Sequence, residues 1–218
     1  MKKETYNRTY ESASSDNDNQ NPRLIPSHGG YRKLRSFQTA QLVYDATVIF
    51  CGRFIDKHSR TYDQMIQAAR SGVQNIAEGS MASATSKKTE LRLTSVARAS
   101  LEELLLDYED FLRQRALLIW AKDSPEALKV RERYRLIQLD KSDKSDRSDM
   151  SEKSGRIDSY GIATVSSEIA ANTMICLINQ ASYLLGRQLQ KLEQTFLEEG
   201  GFSERLYRER SRIRRNND

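Results

Sequence analysis

Histidine, cysteine and carboxylate are the side chains best able to do chemistry, and this chain of 218 residues spaces them poorly for it. Its two histidines are His28 and His58, and neither follows a glutamate by three residues. The Glu-x-x-His pairs that build di-iron sites inside helical bundles are therefore missing. Cys51 and Cys176 stand far apart, so with the dispersed histidines no structural zinc is expected. Cys51 as a nucleophile would need a base nearby. His58, seven residues on, could share its helix face but lies two turns away, so packing in a core is the preferred reading. Gly29-Gly30 and Gly200-Gly201 lack the spacing and lysine of a phosphate-binding loop. Glu102, Glu103, Glu109 and Asp110 interleave with Arg92 and Arg113, as on a solvated helix face. No catalytic residue, metal or cofactor is expected, and the chain reads as a non-enzyme.

What remains is charge. The net charge is +5 and the isoelectric point near 9.2, a modest bias toward polyanionic partners. Three basic clusters are candidates for nucleic-acid contact: Arg32, Lys33 and Arg35; Lys87, Lys88 and Arg92; and Arg205, Arg208, Arg210, Arg212, Arg214 and Arg215 near the C-terminus. Tyr207 sits among the last group and could stack on a base. Each cluster alone is more often a solvated face. Repetition in an oligomer would add weak phosphate contacts steeply.

Helical periodicity supplies the elements that must position these groups. Residues 1–30 are rich in Asn, Asp, Ser and Gln and read as a disordered arm. A first amphipathic helix is expected over Tyr31 to Ile55, carrying Phe37, Ala40, Val43, Tyr44, Thr47, Val48, Cys51, Phe54 and Ile55 on one stripe. Thr61-Tyr62-Asp63-Gln64 matches a capping box opening the second helix, which Gly79 would stop. Ser83 or Ser86 would cap a third helix running to about Ala121, with Ile119 on its inward stripe. Ser124-Pro125-Glu126 then opens a short helix to Leu139, completing a folded block over 31–139. Residues 140–158 begin with DKSDKSDRSDMSE, in which Ser142, Ser145, Ser148 and Ser151 recur every third position. This reads as a flexible linker, with a phosphorylation cluster as the alternative. A fourth main helix over 159–201 closes at Gly200-Gly201, and 202–218 forms a basic suffix. The fold class expected is all-α, an antiparallel four-helix bundle.

Two helices are apolar on more than one face. Leu42, Ala46, Ile49 and Phe50 lie away from the main stripe of the first, and Val165, Ile169, Cys176 and Tyr183 form a second line on the fourth. Such faces need covering, so Leu42, Ile49, Phe50, Val165, Ile169, Cys176 and Tyr183 are candidates for a homo-oligomer interface. Otherwise they are scattered surface residues, or the short helix covers them. The apolar run Ile162 to Leu185 is broken by Glu168, Asn172 and Asn179 and does not read as a membrane span. Met1 to Gln20 lacks the apolar core of a secretory signal, and a cytoplasmic protein is expected.

Three stretches together are familiar: Gln64 to Gly79 ending in Asn75-Ile-Ala-Glu78-Gly79, Ser86-Lys-Lys-Thr-Glu90, and Ala97-Arg-Ala-Ser100-Leu101-Glu102-Glu103-Leu104. They resemble a four-helix-bundle family that contains proteins encoded in intervening sequences of large-subunit ribosomal RNA genes. The same family contains accessory variability determinants of diversity-generating retroelements. Glu198 to Tyr207 resembles the suffix of a longer subgroup, whereas typical members join helices three and four by a brief loop. The resemblance implies a ring-like homopentamer with basic surfaces, binding RNA or a reverse transcriptase. Within its motif, Asn75 would bond backbone near the helix end, Glu78 would sit at the turn and Gly79 would permit it. The function expected is an oligomeric nucleic-acid-binding or reverse-transcriptase-accessory protein. The alternative is a protein-interaction scaffold that binds no nucleic acid.

Overall fold

A computed structural model of the chain describes residues 30–142 and 160–217. Residues 1–29 of the expected arm, with His28, and the expected linker beyond Ser142 lie outside the described residues, while Gly30 already belongs to the first turn. A 3-10 turn, Gly30–Lys33, leads into α1 (Arg35–Phe54), α2 (Arg60–Ala82), α3 (Lys87–Gln114), α4 (Pro125–Ser142), α5 (Ser167–Glu199) and α6 (Phe202–Asn217). The fold is all-α, and no strand occurs among the described residues.

α1 and α3 each pack against both α2 and α5, which closes a four-helix bundle. Two bonds fix the direction of α5 relative to α1. Ser36 Oγ, at the start of α1, donates to Gln188 Oε1 late in α5 (2.6 Å), and Arg53, at the end of α1, donates to the Ile162 carbonyl just before α5 (2.5 Å). Across the bundle, Phe50 meets Tyr108 and Phe111 edge-on at 4.8 and 5.0 Å between ring centroids. Such pairs contribute about 0.5–1.5 kcal/mol each beyond area burial. The Tyr108 hydroxyl donates to Thr47 Oγ1 (3.1 Å), so the one polar atom of this aromatic group is satisfied. Phe50 therefore belongs to the core. It has no exposed surface, which removes it from the candidate oligomer interface, and Ala46 is buried beside it. At helical spacing a residue 100° from the main stripe still faces inward when two neighbours flank the helix.

α4 lies outside the four-helix ring, against α5. Tyr134 is buried at that contact and shares a hydrogen bond with Thr39 of α1, oxygen to oxygen 2.6 Å. Helix starts follow the expected serine chemistry, with one shift. Ser86 Oγ accepts from Thr89 N (3.1 Å), Ser124 Oγ from Ala127 N (3.2 Å) and Ser166 Oγ from Ile169 N (3.4 Å). α2 is capped by Ser59, which accepts from Thr61 N (3.2 Å), and Thr61 is already inside the helix. The fourth main helix begins at Ser167 rather than near 159, and α4 runs through Ser142, three residues into the expected linker.

α3 ends at Gln114 rather than Ala121. Ala116 adopts the left-handed conformation (φ 52°), its N–H donates to Arg113 O (3.2 Å), and Leu117 N–H donates to Leu112 O (3.0 Å). This is the Schellman closure, with alanine where glycine is usual. Ile119 accordingly stands in the following loop, largely exposed. Gly79 also departs from expectation, because α2 continues past it to Ala82. A Cβ at Gly79 would lie 3.3 Å from Leu93 Cβ and 3.4 Å from the Glu90 carbonyl, so the glycine lets α2 approach α3 closely. Glu78 is exposed on the helix rather than at a turn, and Asn75 Nδ2 donates to Ser71 O one turn back (2.9 Å).

Two substitutions test these assignments by urea denaturation. Gly79→Leu forces α2 and α3 apart and is expected to cost at least about 2 kcal/mol, at the upper end of overpacking. Ala116→Gly relieves the left-handed strain and is expected to add about 1 kcal/mol. A neutral Gly79→Leu would mean that the two helices do not meet there.

Candidate nucleic-acid interface

The antiparallel order places the start of α1, the α2–α3 turn and the end of α5 at one end of the bundle. All three basic clusters have their roots there. The 3-10 turn packs against α2, and Gln38 Nε2 donates to the Arg32 carbonyl (2.8 Å), which fixes the first cluster on the bundle. Arg32 itself lies over the Tyr31 ring, 5.3 Å from its centroid, and Tyr31 meets Phe37 edge-on. Arg32, Lys33 and Arg35 are exposed.

In the second cluster Lys88 and Arg92 are exposed, while Lys87 is half-buried and pairs with Glu90 at 3.3 Å. Glu90 is buried, and burial raises its carboxyl above the ordinary value against the opposing pull of Lys87. Lys87 thus serves the fold by compensating a buried acid. The third cluster is an ordered helix rather than a loose tail. α6 follows the elbow at Gly200, whose φ of 73° suits glycine, and Glu204 accepts from the Gly201 N–H (3.0 Å) at its start. Arg205 is half-buried and donates to the Ala84 carbonyl (3.4 Å), tying α6 to the α2–α3 turn. Arg208 donates to the Glu199 carbonyl (2.6 Å) and Arg212 pairs with Glu209 (3.1 Å). Arg208, Arg210, Arg212, Arg214 and Arg215 are exposed, and Tyr207 stands 74% exposed among them.

Arg187 and Lys191, one turn apart on α5, are also exposed at this end and were not singled out in the sequence. Their i,i+4 spacing is the signal that could have found them. Acidic side chains are interspersed here, including Glu78, Glu193, Glu198 and Glu199, so the surface is basic by excess rather than uniformly. The N-termini of α1 and α3 meet the C-termini of α2 and α5 at this end, so the helix dipoles largely offset one another. Side-chain charge therefore sets the potential.

The candidate oligomer residues are scattered by the fold. Leu42 and Ile49 are half-buried against the core, and Val165 is half-buried at the opposite end of the bundle. Cys176 is half-buried close enough to Arg131 of α4 to feel its charge. α4 thus covers part of the second face of α5. Ile169 and Tyr183 remain exposed, Tyr183 accepting a hydrogen bond from Arg187 (3.3 Å). Cys51 is fully buried, bonds Met65 Sδ at 3.9 Å, and has its thiol pushed up to about 12 by burial and then by Asp107. His58 is exposed in the turn between α1 and α2, past the end of the helix at Phe54, so it does not share a helix face with Cys51. No helix among the described residues is long and apolar enough to cross a membrane. No family model, curated protein or solved structure matches the chain.

The two thiols should differ in reactivity. At pH 8 a thiol held near 12 has almost no thiolate, the reactive form, so Cys51 should resist a disulfide reagent for hours in the native protein. Cys176 should react first and both should react in urea, as peptide mass mapping would read directly. Labelling of native Cys51 at the Cys176 rate would contradict the burial.

Proposed function

We propose that this protein binds RNA without catalysis, through the basic end of the bundle and the projecting arginine-rich helix α6. The observation that carries the reading is the convergence at one end of three clusters that are distant in sequence, with Arg32, Lys33, Arg35, Lys88, Arg92 and the outer arginines of α6 exposed. Arginine offers a planar fork that matches phosphate, and an exposed tyrosine beside it offers a stacking platform to unpaired bases. Such a surface reads backbone charge and accessible bases rather than a defined sequence. The resemblance to the intervening-sequence and retroelement proteins supports the same reading, with a role beside a reverse transcriptase as one setting for it. Assembly into a homo-oligomer, a pentamer in the resemblance, would repeat the basic end and raise avidity without new contacts.

Measuring the affinity for a single-stranded RNA across a salt series tests the proposal, using the full chain and one ending at Gly201, with light scattering on both. The full chain should bind with log K falling linearly in log salt. Removing residues 202–218 should weaken binding at least tenfold near 0.1 M salt and flatten the slope by about 0.7 per lost phosphate contact. A truncated chain with unchanged affinity and slope would exclude α6 from the interface. A full chain that ignores RNA at low salt would end the proposal.

A further inference from the structure

At the end of the bundle away from the basic clusters, α4 bridges a concave space of about 920 Å³. Its walls come from the loop after α3, from α4, from residues 160–165 and from the first turns of α5. Trp120, Ile119, Val130, Leu136, Val165 and Ile169 make the lining predominantly apolar. Val165 and Ile169, which in the sequence suggested a flat subunit contact, are here part of a cavity wall.

The wall is held in place by specific bonds. Asn172, buried on α5, donates to the Leu118 carbonyl (2.8 Å) and accepts from the Trp120 N–H (2.8 Å), so one side chain clamps the loop at two points. Arg131 of α4 donates to the Lys122 carbonyl, joining α4 to the same loop. Tyr160 is buried in the wall, and its hydroxyl has no hydrogen-bond partner among the described residues. Burial raises that phenol above its ordinary value, so it stays a donor.

We infer that this cavity is a binding site for a neutral, ring-bearing, largely apolar small molecule. Its volume falls in the range of ligand pockets, roughly 300–1,000 Å³, and its shape is clamped before any ligand arrives. Water fills such a space poorly, because a water needs two to four polar partners and most of the lining offers none. The rim contributed by α4 carries Glu126 and Glu132 beside Lys129 and Arg133, and this balance selects no net charge. Flat rings suit a wall that contains an indole, since aromatic pairs gain from stacked or edge-on contact. Walls drawn from four separate segments suit a compact molecule better than a partner helix, which needs a continuous groove.

Trp120 is the only tryptophan in the chain, so occupancy has a built-in reporter. Titrating the full-length protein with N-phenyl-1-naphthylamine, a neutral two-part aromatic dye, should give saturable energy transfer from Trp120 with one dye per chain. Leu136→Glu and Ile169→Glu replace wall residues that are 52% and 44% exposed, so each should keep the helical circular dichroism of the parent. Each should weaken dye binding at least tenfold. Leu197→Glu, at an 84% exposed site near the opposite end, should leave it unchanged. Absence of saturable transfer in the parent, including through occupation of the cavity by the protein itself, would overturn the inference. So would binding that survives both wall substitutions.

Discussion

The constraint on which the structure depends is the burial of α5 on more than one side. Ala170 to Ile175, then Leu177, Ile178, Ala181 and Leu185, are all buried, which exceeds the single stripe that a bundle helix normally presents. α1 and α3 cover one side and α4 shields part of the other. Asn172 and Thr173 fall inside this run, and a buried amide is tolerable only if it is bonded. Asn172 meets that condition by holding the loop after α3 and the Glu168 carbonyl one turn back (3.0 Å). The polar residue that interrupts an apolar helix is thus the point to which a loop is fixed. The reversal into that loop rests on Ala116, so a single left-handed alanine and a single buried asparagine set the path from α3 toward α4.

That path makes the two ends of the molecule chemically unlike. At one end the loop and α4 gather apolar side chains around a cavity; at the other, basic side chains accumulate where α1 and α3 begin. Cations at a helix N-terminus oppose the dipole and forgo about 0.3–1 kcal/mol each at low salt. Arg35 and Lys87 occupy such positions, and α1 has no acid in its first turn to offset the cost. Sequence selected for stability alone would place acids there. Lys87 has a structural reason, in that Glu90 is buried beside it. Arg32, Arg35 and Lys88 stand exposed beside the helix starts, and a surface that attracts phosphate is a physical use for them.

Much of the fold was legible because helices announce themselves by spacing and caps. Ser86, Ser124 with Pro125, and Gly200 sit where their chemistry predicts. The misplacements have particular causes. Gly79 was read as a stop, but a glycine that permits a left-handed turn and one that permits close helix contact are identical in sequence; only Leu93 and Glu90 across the contact decide between them. The end of α3 was missed because alanine, not glycine, takes the left-handed position. Phe50 looked like a second face because helical spacing cannot say how many neighbours a helix has. The basic residues were found in the sequence, yet their convergence was not, since it depends on the antiparallel order and on Arg205 tying α6 to the α2–α3 turn.

The same order constrains how the two ends can influence each other. α5 runs unbroken from the cavity wall at Ile169 to the last turn before α6, and its first half is closely packed, with Asn179 and Tyr183 on the open side. A close-packed interior has few alternative arrangements, and coupling between sites needs an element with at least two. The body of α5 therefore offers a rigid spacer rather than a lever. The elbow at Gly200-Gly201 is different. It is held by Glu204 on the Gly201 N–H, by Arg208 on the Glu199 carbonyl and by Arg205 on the Ala84 carbonyl, and the outer arginines of α6 are exposed. Segments with few buried contacts open at low cost in free energy. On the proposed RNA-binding reading, the elbow is the part that adjusts to the path of a strand, with the bundle as the fixed base from which α6 reaches.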